Sequence, residues 1–225
     1  MSKFLKLANV SKIFETNKKI KVIKNLSYNF INGKIYSLMG PSGSGKSTLL
    51  NLISLIDKPT GGLIKFNNHQ INYDKNEEND KFRAKTIGIV YQQNNLLADF
   101  TSLENVYLAS LSINNDKDLA ISKAKKLLKK IGLSNRADHY PSQLSGGEAQ
   151  RIAIARAIIN DPKIILADEP TGSLDMRTAK DIFNLLKGQK RHDRLIIFAT
   201  HNRFFGKKAD CLLEMKDGNI KPSHG

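Results

Sequence analysis

Four short apolar runs alternate with longer helical stretches, and this alternation constrains the fold more than any other feature of the 225-residue chain. Three of the runs are apolar almost throughout, as expected of strands buried on both faces of a sheet. The runs lie at residues 34–39, 86–91, 163–168 and 195–200. The helical stretches lie at residues 46–56, 117–131, 147–160 and 178–190. Strands that alternate with helices in this way predict an α/β fold with a mostly parallel sheet.

The N-terminal third and the C-terminal end have a different pattern, in which short runs are separated by turn signals. Runs near residues 4–10, 22–30 and 63–73 predict an antiparallel β subdomain at the edge of the sheet. Near the C-terminus, "LLEMKDGNIK" contains Asp217 and Gly218 between two strand-like segments. An Asp-Gly pair in this position predicts a hairpin with a type I′ turn.

Residues 92–160 carry mainly helical patterns. In "AKKLLKKIG", one apolar stripe is formed by Ala124, Leu127, Leu128 and Ile131. The remaining faces carry the lysines at positions 123, 125, 126, 129 and 130. A basic amphipathic helix can bind a membrane, but a surface helix that packs on its own subdomain is the favoured interpretation. Gly132 is expected to end the helix.

The net charge of +15 is large but spread along the chain, without a basic tail or block. It is compatible with nucleic acid or an anionic membrane as partner. The favoured interpretation is a genome rich in A and T, because Lys, Asn and Ile are abundant throughout. The single Cys211 excludes a disulfide framework and fits a reducing compartment. No apolar run is long enough to span a bilayer, and the start lacks a signal peptide, so we expect a soluble cytosolic protein.

The most specific motif is "GPSGSGKST", which follows a predicted strand and opens a predicted helix. It comprises Gly40, Pro41, Ser42, Gly43, Ser44, Gly45, Lys46, Ser47 and Thr48. In this context, backbone N–H groups and the helix N-terminus converge on phosphate oxygens. Lys46 adds a cation for the β- and γ-phosphates, and the Ser47 hydroxyl is suited to Mg²⁺. The motif therefore predicts a binding site for a nucleoside triphosphate.

Two adjacent carboxylates end the apolar run of residues 163–168. Asp168 is suited to hold Mg²⁺ through water, and Glu169 can act as a general base on an attacking water. Taken without the other motifs, the two carboxylates could simply be solvent-exposed residues at the end of a strand. In a chain that also has a triphosphate loop, the catalytic interpretation is strongly favoured.

Three further side chains are weaker candidates. His201 follows the run 195–200 and can contact the γ-phosphate, although a lone His there is more often a polar cap. Gln92 can reach the metal or the water through its amide, but Gln93 beside it leaves the register open. Phe14 can stack on adenine, whereas an aromatic near the N-terminus is usually a core residue.

The loop in "LSGGEAQRIAIARA" provides a second possible anion site, because it also opens a helix. Ser145, Gly146 and Gly147 lie at the start of that helix. The loop lies far along the chain from the triphosphate loop and in the helical segment. We therefore expect it to close over the nucleotide of a second copy, in a head-to-tail pair with two-fold symmetry.

Taken in order, these motifs resemble those of the ATP-binding cassette (ABC) ATPases, and the resemblance covers nearly the whole chain. It implies one ABC ATPase domain with ATP and Mg²⁺ as cofactors. It implies a P-loop NTPase fold with a RecA-like core and an antiparallel β subdomain at residues 1–91 and 161–225. A helical subdomain with the signature loop would span residues 92–160. It also implies that Ser47, Gln92 and Asp168 serve Mg²⁺, and that Asp175 couples the two sites of a dimer.

Longer segments resemble the ATPases of bacterial lipoprotein-releasing systems, notably residues 94–106, 132–157, 166–175 and 212–221. That resemblance implies a peripheral ATPase on the cytoplasmic face of the inner membrane, with permease subunits similar to LolC and LolE. Macrolide or peptide exporters and the cell-division cassette are the alternatives within the group. A nucleic-acid-associated ABC protein is less favoured, because such relatives usually carry tandem cassettes, coiled-coil insertions or zinc modules. We therefore expect no nucleic acid partner.

Overall fold

The structure of the protein, a computed structural model, describes residues 3–15, 18–67, 69–113 and 115–222. The described residues up to 80 and from 190 onward form one compact unit, and the described residues from 81 to 189 form a second. The elements are, in chain order, β1 (Lys3–Glu15), β2 (Lys19–Ile31), β3 (Ile35–Met39), α1 (Lys46–Ile53), β4 (Gly61–Phe66), β5 (His69–Gln70), α2 (Asn76–Thr86), β6 (Ile87–Val90), α3 (Ser102–Leu111), α4 (Lys117–Lys130), α5 (Gly146–Ile158), β7 (Ile164–Asp168), α6 (Met176–Lys187), β8 (Leu195–Ala199), α7 (Arg203–Gly206), β9 (Cys211–Lys216) and β10 (Asn219–Pro222). Short 3₁₀ turns lie at Ser134–Arg136 and Pro141–Gln143.

The first unit contains the predicted antiparallel sheet, with strand order β2-β1-β4-β5. Strand β1 lies between two partners, so that Leu7 is opposite Tyr28 on one side and Ile64 on the other. The register between β1 and β2 shifts at several points, including between Lys12 and Ile13. The antiparallel subdomain inferred from the N-terminal runs is therefore confirmed.

The same unit contains a parallel group of strands around β3. Strand β3 pairs in parallel with β8 and with β9, and β9 continues through a turn into antiparallel β10. In that turn Asp217 and Gly218 both have positive φ, 50° and 76°, as a type I′ turn requires. Strands β3 and β8 are buried along almost their whole length, as their apolar sequences predict.

The second unit combines the parallel pair β6–β7 with a helical cluster formed by α3, α4 and α5. Ala124, Leu128 and Ile131 of the predicted stripe are buried in that cluster, and Leu127 packs against it. The lysines at 125, 126, 129 and 130 are exposed. Helix α4 is therefore a surface helix packed on its own unit, and Gly132 ends it with a φ of 72°.

Helix α2 is the element that the sequence patterns do not predict. Its sequence is mostly polar and only Asn79 is fully buried, so no apolar stripe identifies it. In the described ranges, no helix has the length and apolar character needed to cross a bilayer. A helical subdomain bounded at residues 92 and 160 remains a prediction.

Candidate functional site

The loop of residues 40–48 joins the end of β3 to the start of α1, as its sequence predicts. Gly45 caps α1 with a φ of 101°, which strains any residue with a side chain. A Cβ on Gly45 would also lie 3.0 Å from Ile23 Cδ1 and 3.2 Å from Val22 Cγ1 of strand β2. Glycine at position 45 is therefore needed both for the backbone conformation and for the close approach of β2.

Polar groups in this loop suit an anion with several oxygens. Lys46 is buried, and its Nζ donates hydrogen bonds to the carbonyl oxygens of Gly40 at 2.8 Å and Pro41 at 3.0 Å. Ser44 Oγ is buried and has no hydrogen-bond partner within the described part of the chain. No described side chain caps α1 either, so its first N–H groups can bind an anion. The loop therefore fits the triphosphate of a nucleotide.

His201 lies beside this loop, as its position after β8 predicts. It is exposed and lines a cavity of about 460 Å³ together with Met39, Gly40 and Pro41. Arg203, Lys207, Leu212 and Glu214 complete the lining. The structure thus brings His201 and the phosphate-binding loop to one cavity.

Phe14 lies on β1 with 39% of its surface exposed. The alternative that it is a core residue is therefore wrong. Strand β2, which pairs with β1, supplies the Val22 and Ile23 side chains that approach Gly45. Phe14 is thus a surface aromatic on the ribbon that packs against the phosphate-binding loop.

The two carboxylates lie at the end of β7 in the second unit. Asp168 is the last residue of the strand, and Glu169 follows with a φ of 46°. The left-handed conformation of a residue with a side chain costs about 1 to 3 kcal/mol and is typical of functional sites. Gln92 Nε2 lies 3.1 Å from the position that a Cβ on Gly172 would take, and that position lies 3.5 Å from Glu169 Cβ. The structure therefore brings Gln92 and Glu169 together at one turn.

The N-terminus of α5 is organised by Ser145. Its side chain accepts a hydrogen bond from Glu148 N, and the Glu148 carboxylate accepts one from Ser145 N, which forms a capping box. Arg136 Nε donates to Glu148 Oε1 at 2.8 Å. The Arg136 guanidinium, assisted by the hydrogen bonds from Ser145, lowers the pKa of Glu148 to about 2.

Gly147 joins this helix N-terminus to α6. A Cβ on Gly147 would lie only 2.4 Å from Thr178 Cγ2. Thr178 lies in the first turn of α6, which is capped by Asp175 through hydrogen bonds from the backbone N–H groups of Arg177 and Thr178. Hydrogen bonds from the Thr178 side chain and backbone lower the pKa of Asp175. The signature-loop residue Gly147 and the predicted coupling residue Asp175 are therefore both in contact with Thr178.

Two residues of α5 that sequence reasoning missed hold the loop around Gln92. Gln150 Nε2 donates to Tyr91 O at 3.0 Å. The Arg156 guanidinium donates to Asn94 O and Asn95 O, each at 2.7 Å. For Arg156, the available signal was a charged side chain within the otherwise apolar run "IAIARA". The partners lie 59 to 62 residues away, and a local pattern does not identify them.

A sequence model described as "ABC transporter" matches residues 23–172, which include the phosphate-binding loop, Gln92, the signature loop and both carboxylates. The chain belongs to the ABC transporter family. It is therefore an ABC ATPase, the subunit of a transporter that binds and hydrolyses ATP. The RecA-like P-loop NTPase fold predicted from the sequence is confirmed by solved ABC cassettes.

Relatives of this ABC ATPase include the lipoprotein-releasing system ATP-binding protein LolD of Rickettsia bellii, which is 42% identical over 99% of both chains. The LolD protein of Wigglesworthia glossinidia brevipalpis is 46% identical over 96% of this chain and 95% of its own length. A dimeric post-hydrolysis structure of the cassette MJ0796 with ADP and Pi superposes with a TM-score of 0.89. It is 38% identical and covers 98% of this chain and 99% of its own.

Proposed function

We propose that this ABC ATPase works as a homodimer that drives the release of lipoproteins from the bacterial inner membrane toward the outer membrane. The proposal combines the LolD relatives with a feature of the site. The chain has an uncapped helix N-terminus suited to anions at the loop of residues 40–48, and a second helix that begins at Gly146 and Gly147 behind Ser145. The second would close over the nucleotide of the partner copy, which is consistent with the dimeric MJ0796 cassettes.

Roles for individual residues follow from their chemistry. Lys46 and the amides of residues 40–48 bind the phosphates, and Phe14 stacks on the adenine. His201 donates a hydrogen bond to the γ-phosphate, and Glu169 accepts a proton from the attacking water. Asp175, in contact with Thr178 beside Gly147, couples the two sites of the dimer.

The donor set also suits Mg²⁺. Ser47, Gln92 and Asp168 offer hydroxyl, amide and carboxylate oxygens, which are the hard ligands that Mg²⁺ prefers. Ser47 and Gln92 are exposed and Asp168 is partly exposed, so all three are open to an ion. When bound, the metal offsets negative charge on the phosphates.

Coupling to permease subunits is supported by the way α5 holds the loop around Gln92. The carbonyl oxygens of residues 94 and 95 accept hydrogen bonds from Arg156, which lines a cavity of about 200 Å³ in the second unit. Other lining residues are Arg83, Ala84, Ile87, Gly88, Ile89, Ala109, Ser112, Ala157 and Asn160. We infer that a segment of a LolC/LolE-like permease seated here would act on Gln92 through Arg156. The ATPase would then lie at the cytoplasmic face of the inner membrane.

Replacing the proposed base tests the catalytic part of this function. Glu169→Gln keeps the side-chain size but cannot accept the proton, so turnover should be lost while ATP binding persists. The variant should accumulate as an ATP-bound dimer in size-exclusion chromatography. The exposed Glu77→Gln on α2 is the matched control and should hydrolyse ATP at the wild-type rate. A Glu169→Gln protein with wild-type turnover would exclude Glu169 as the base.

Affinity purification from native membranes tests the transport part. A permease with a large periplasmic domain should co-purify, and depletion of the ATPase should leave lipoproteins in the inner membrane. A drug-sensitivity phenotype alone would favour a macrolide or peptide exporter, and a partner of the cell-division type would favour the cell-division cassette. Tight nucleic-acid binding with a steep salt dependence and no permease would contradict the transport function.

A further inference from the structure

Lys12 is a buried lysine immediately beneath Phe14. Only 9% of its surface is exposed, although lysine is rarely buried in proteins. Its Nζ forms an ion pair with the Asp57 carboxylate and donates to Lys58 O at 3.0 Å. The same Nζ lies 4.8 Å from the centroid of the Phe14 ring, within the range of a cation–π interaction. Phe14 therefore has a fixed cation on one face, while 39% of its surface remains exposed.

The segment that anchors Lys12 comes directly after the helix of the phosphate-binding loop. Asp57 N donates to Asn51 O near the end of α1, and the Asp57 carboxylate also accepts from Lys58 N at 2.8 Å. Three residues later, Thr60 N donates to Ser11 O at 2.8 Å, and Thr60 Oγ1 accepts from Ile13 N at 3.0 Å. Residues 57–60 therefore hold residues 11–13 on both sides of Lys12.

We propose that Lys12 is a positioning residue for the nucleotide base, because it holds the Phe14 ring with its outer face toward the adenine. The inference rests on the proposed stacking of Phe14. A cation on the inner face also draws π-electron density away from the outer face, which reduces repulsion between stacked rings. The ring is then oriented before the nucleotide arrives, and less conformational freedom is lost on binding.

The ion pair with Asp57 gives Lys12 a different role from Lys46. The Lys12 ammonium is paired with the adjacent Asp57 carboxylate, and its other hydrogen bond goes to the Lys58 carbonyl. Lys46 instead donates to carbonyl groups of the loop and lies within the phosphate loop itself. Lys12 should therefore affect binding of the base and leave binding of the phosphates unchanged.

Calorimetric titrations of Lys12→Met with ATP and with tripolyphosphate, which has no base, test this role. Methionine preserves most of the side-chain volume without the charge. We expect ATP to bind about three- to tenfold more weakly, from the usual strength of a cation–π contact. Tripolyphosphate should bind as it does to the wild type, and the KM for ATP should rise without a change in kcat. Lys12→Arg, which restores a cation, should recover most of the affinity.

Lys6→Met removes an exposed lysine from the same strand and is the matched control, with wild-type binding of both ligands. Should Lys12→Met fail to fold, Asp57→Asn provides the second variant, because it removes the charge that anchors the ammonium. ATP affinity within twofold of the wild type in the folded variant would overturn the inference. An equal loss of ATP and tripolyphosphate affinity would also overturn it, since it would show an effect through the phosphates.

Phe14→Ala separates this inference from the proposed function on which it rests. If Phe14→Ala weakens ATP binding and Lys12→Met does not, only the role of Lys12 is overturned. If Phe14→Ala binds ATP as the wild type does, the stacking itself is wrong, and the role of Lys12 falls with it. The chain contains no tryptophan, so Phe14→Trp also gives a single fluorescent reporter whose quenching by ATP measures the stacking directly.

Discussion

Replacing Gly147 by alanine should destabilise the protein, although alanine normally favours a helix. Gly147 lies in the first turn of α5, and the added Cβ would lie 2.4 Å from Thr178 Cγ2. This is at least about 1 Å shorter than the 3.5–4.0 Å at which carbon atoms attract. Rotation of Thr178 would relieve the clash only by moving the hydroxyl that hydrogen-bonds to Asp175. We therefore expect an overpacking cost of about 1 to 3 kcal/mol.

Gly146→Ala is the matched control for this prediction, because its Cβ would lie 3.4 Å from Leu174 Cδ2, an ordinary contact. Both variants gain up to about 1 kcal/mol of helix propensity, so their difference isolates the overpacking cost. Urea denaturation followed by circular dichroism gives that difference in the free energy of unfolding. The ATPase rate of Gly147→Ala should fall as well, because the shift moves the signature loop.

Thr178→Ser provides the decisive test, because it deletes Cγ2 but keeps the hydroxyl that Asp175 requires. In that background, Gly147→Ala should cost about 1 to 3 kcal/mol less than in the wild type. Equal stability of the Gly147→Ala and Gly146→Ala proteins, with no coupling to Thr178→Ser, would refute the reasoning. That result would show that α5 and α6 move apart at this contact at little cost in free energy.

Two further predictions concern α5. Since Arg136 lowers the pKa of Glu148 from 4.5 to about 2, the carboxylate stabilises the fold fully above pH 4.5, and this contribution is lost as the pH falls toward 2. Glu148→Gln should therefore unfold more easily than the wild type at pH 7. The urea midpoints of the two proteins should differ more at pH 7 than at pH 2.5, and an equal difference at the two pH values would contradict the ion pair. Arg156→Met removes the donor to the carbonyl oxygens of residues 94–95, at a cost of about 1 to 3 kcal/mol. Hydrogen exchange of the loop around residues 94–95, measured by mass spectrometry, should become faster. Unchanged exchange would show that Arg156 does not hold this loop.

Much of the fold could be predicted because it depends on short segments of chain. The runs at 34–39, 163–168 and 195–200 correspond to β3, β7 and β8, and each agrees with the structure within one residue at either end. Such strands are apolar on both faces, so their burial is evident from the residues themselves. Helix α2 had no such signal, because Asn79 is its only fully buried residue and its sequence is mostly polar.

The candidate site was predicted as a set of residues, but its supporting contacts were not. The order of motifs predicted the phosphate loop, the carboxylates and His201 as site residues, since each lies in a characteristic local pattern. The supporting pairs join residues far apart in the chain, as Lys12 and Asp57 are, 45 positions from each other. Neither partner has a pattern that identifies the other.

The sequence by itself determined the fold class and the family, and it predicted which residues bind and cleave ATP, because turn, strand and helix preferences act over a few neighbouring residues. Only the tertiary structure decided that Phe14 is exposed above a buried cation, and that Gly147 contacts Thr178. The physical reason is that close packing and buried ion pairs depend on which distant segments the fold brings together. The sizes of the side chains at those contacts have meaning only after the backbone has been placed.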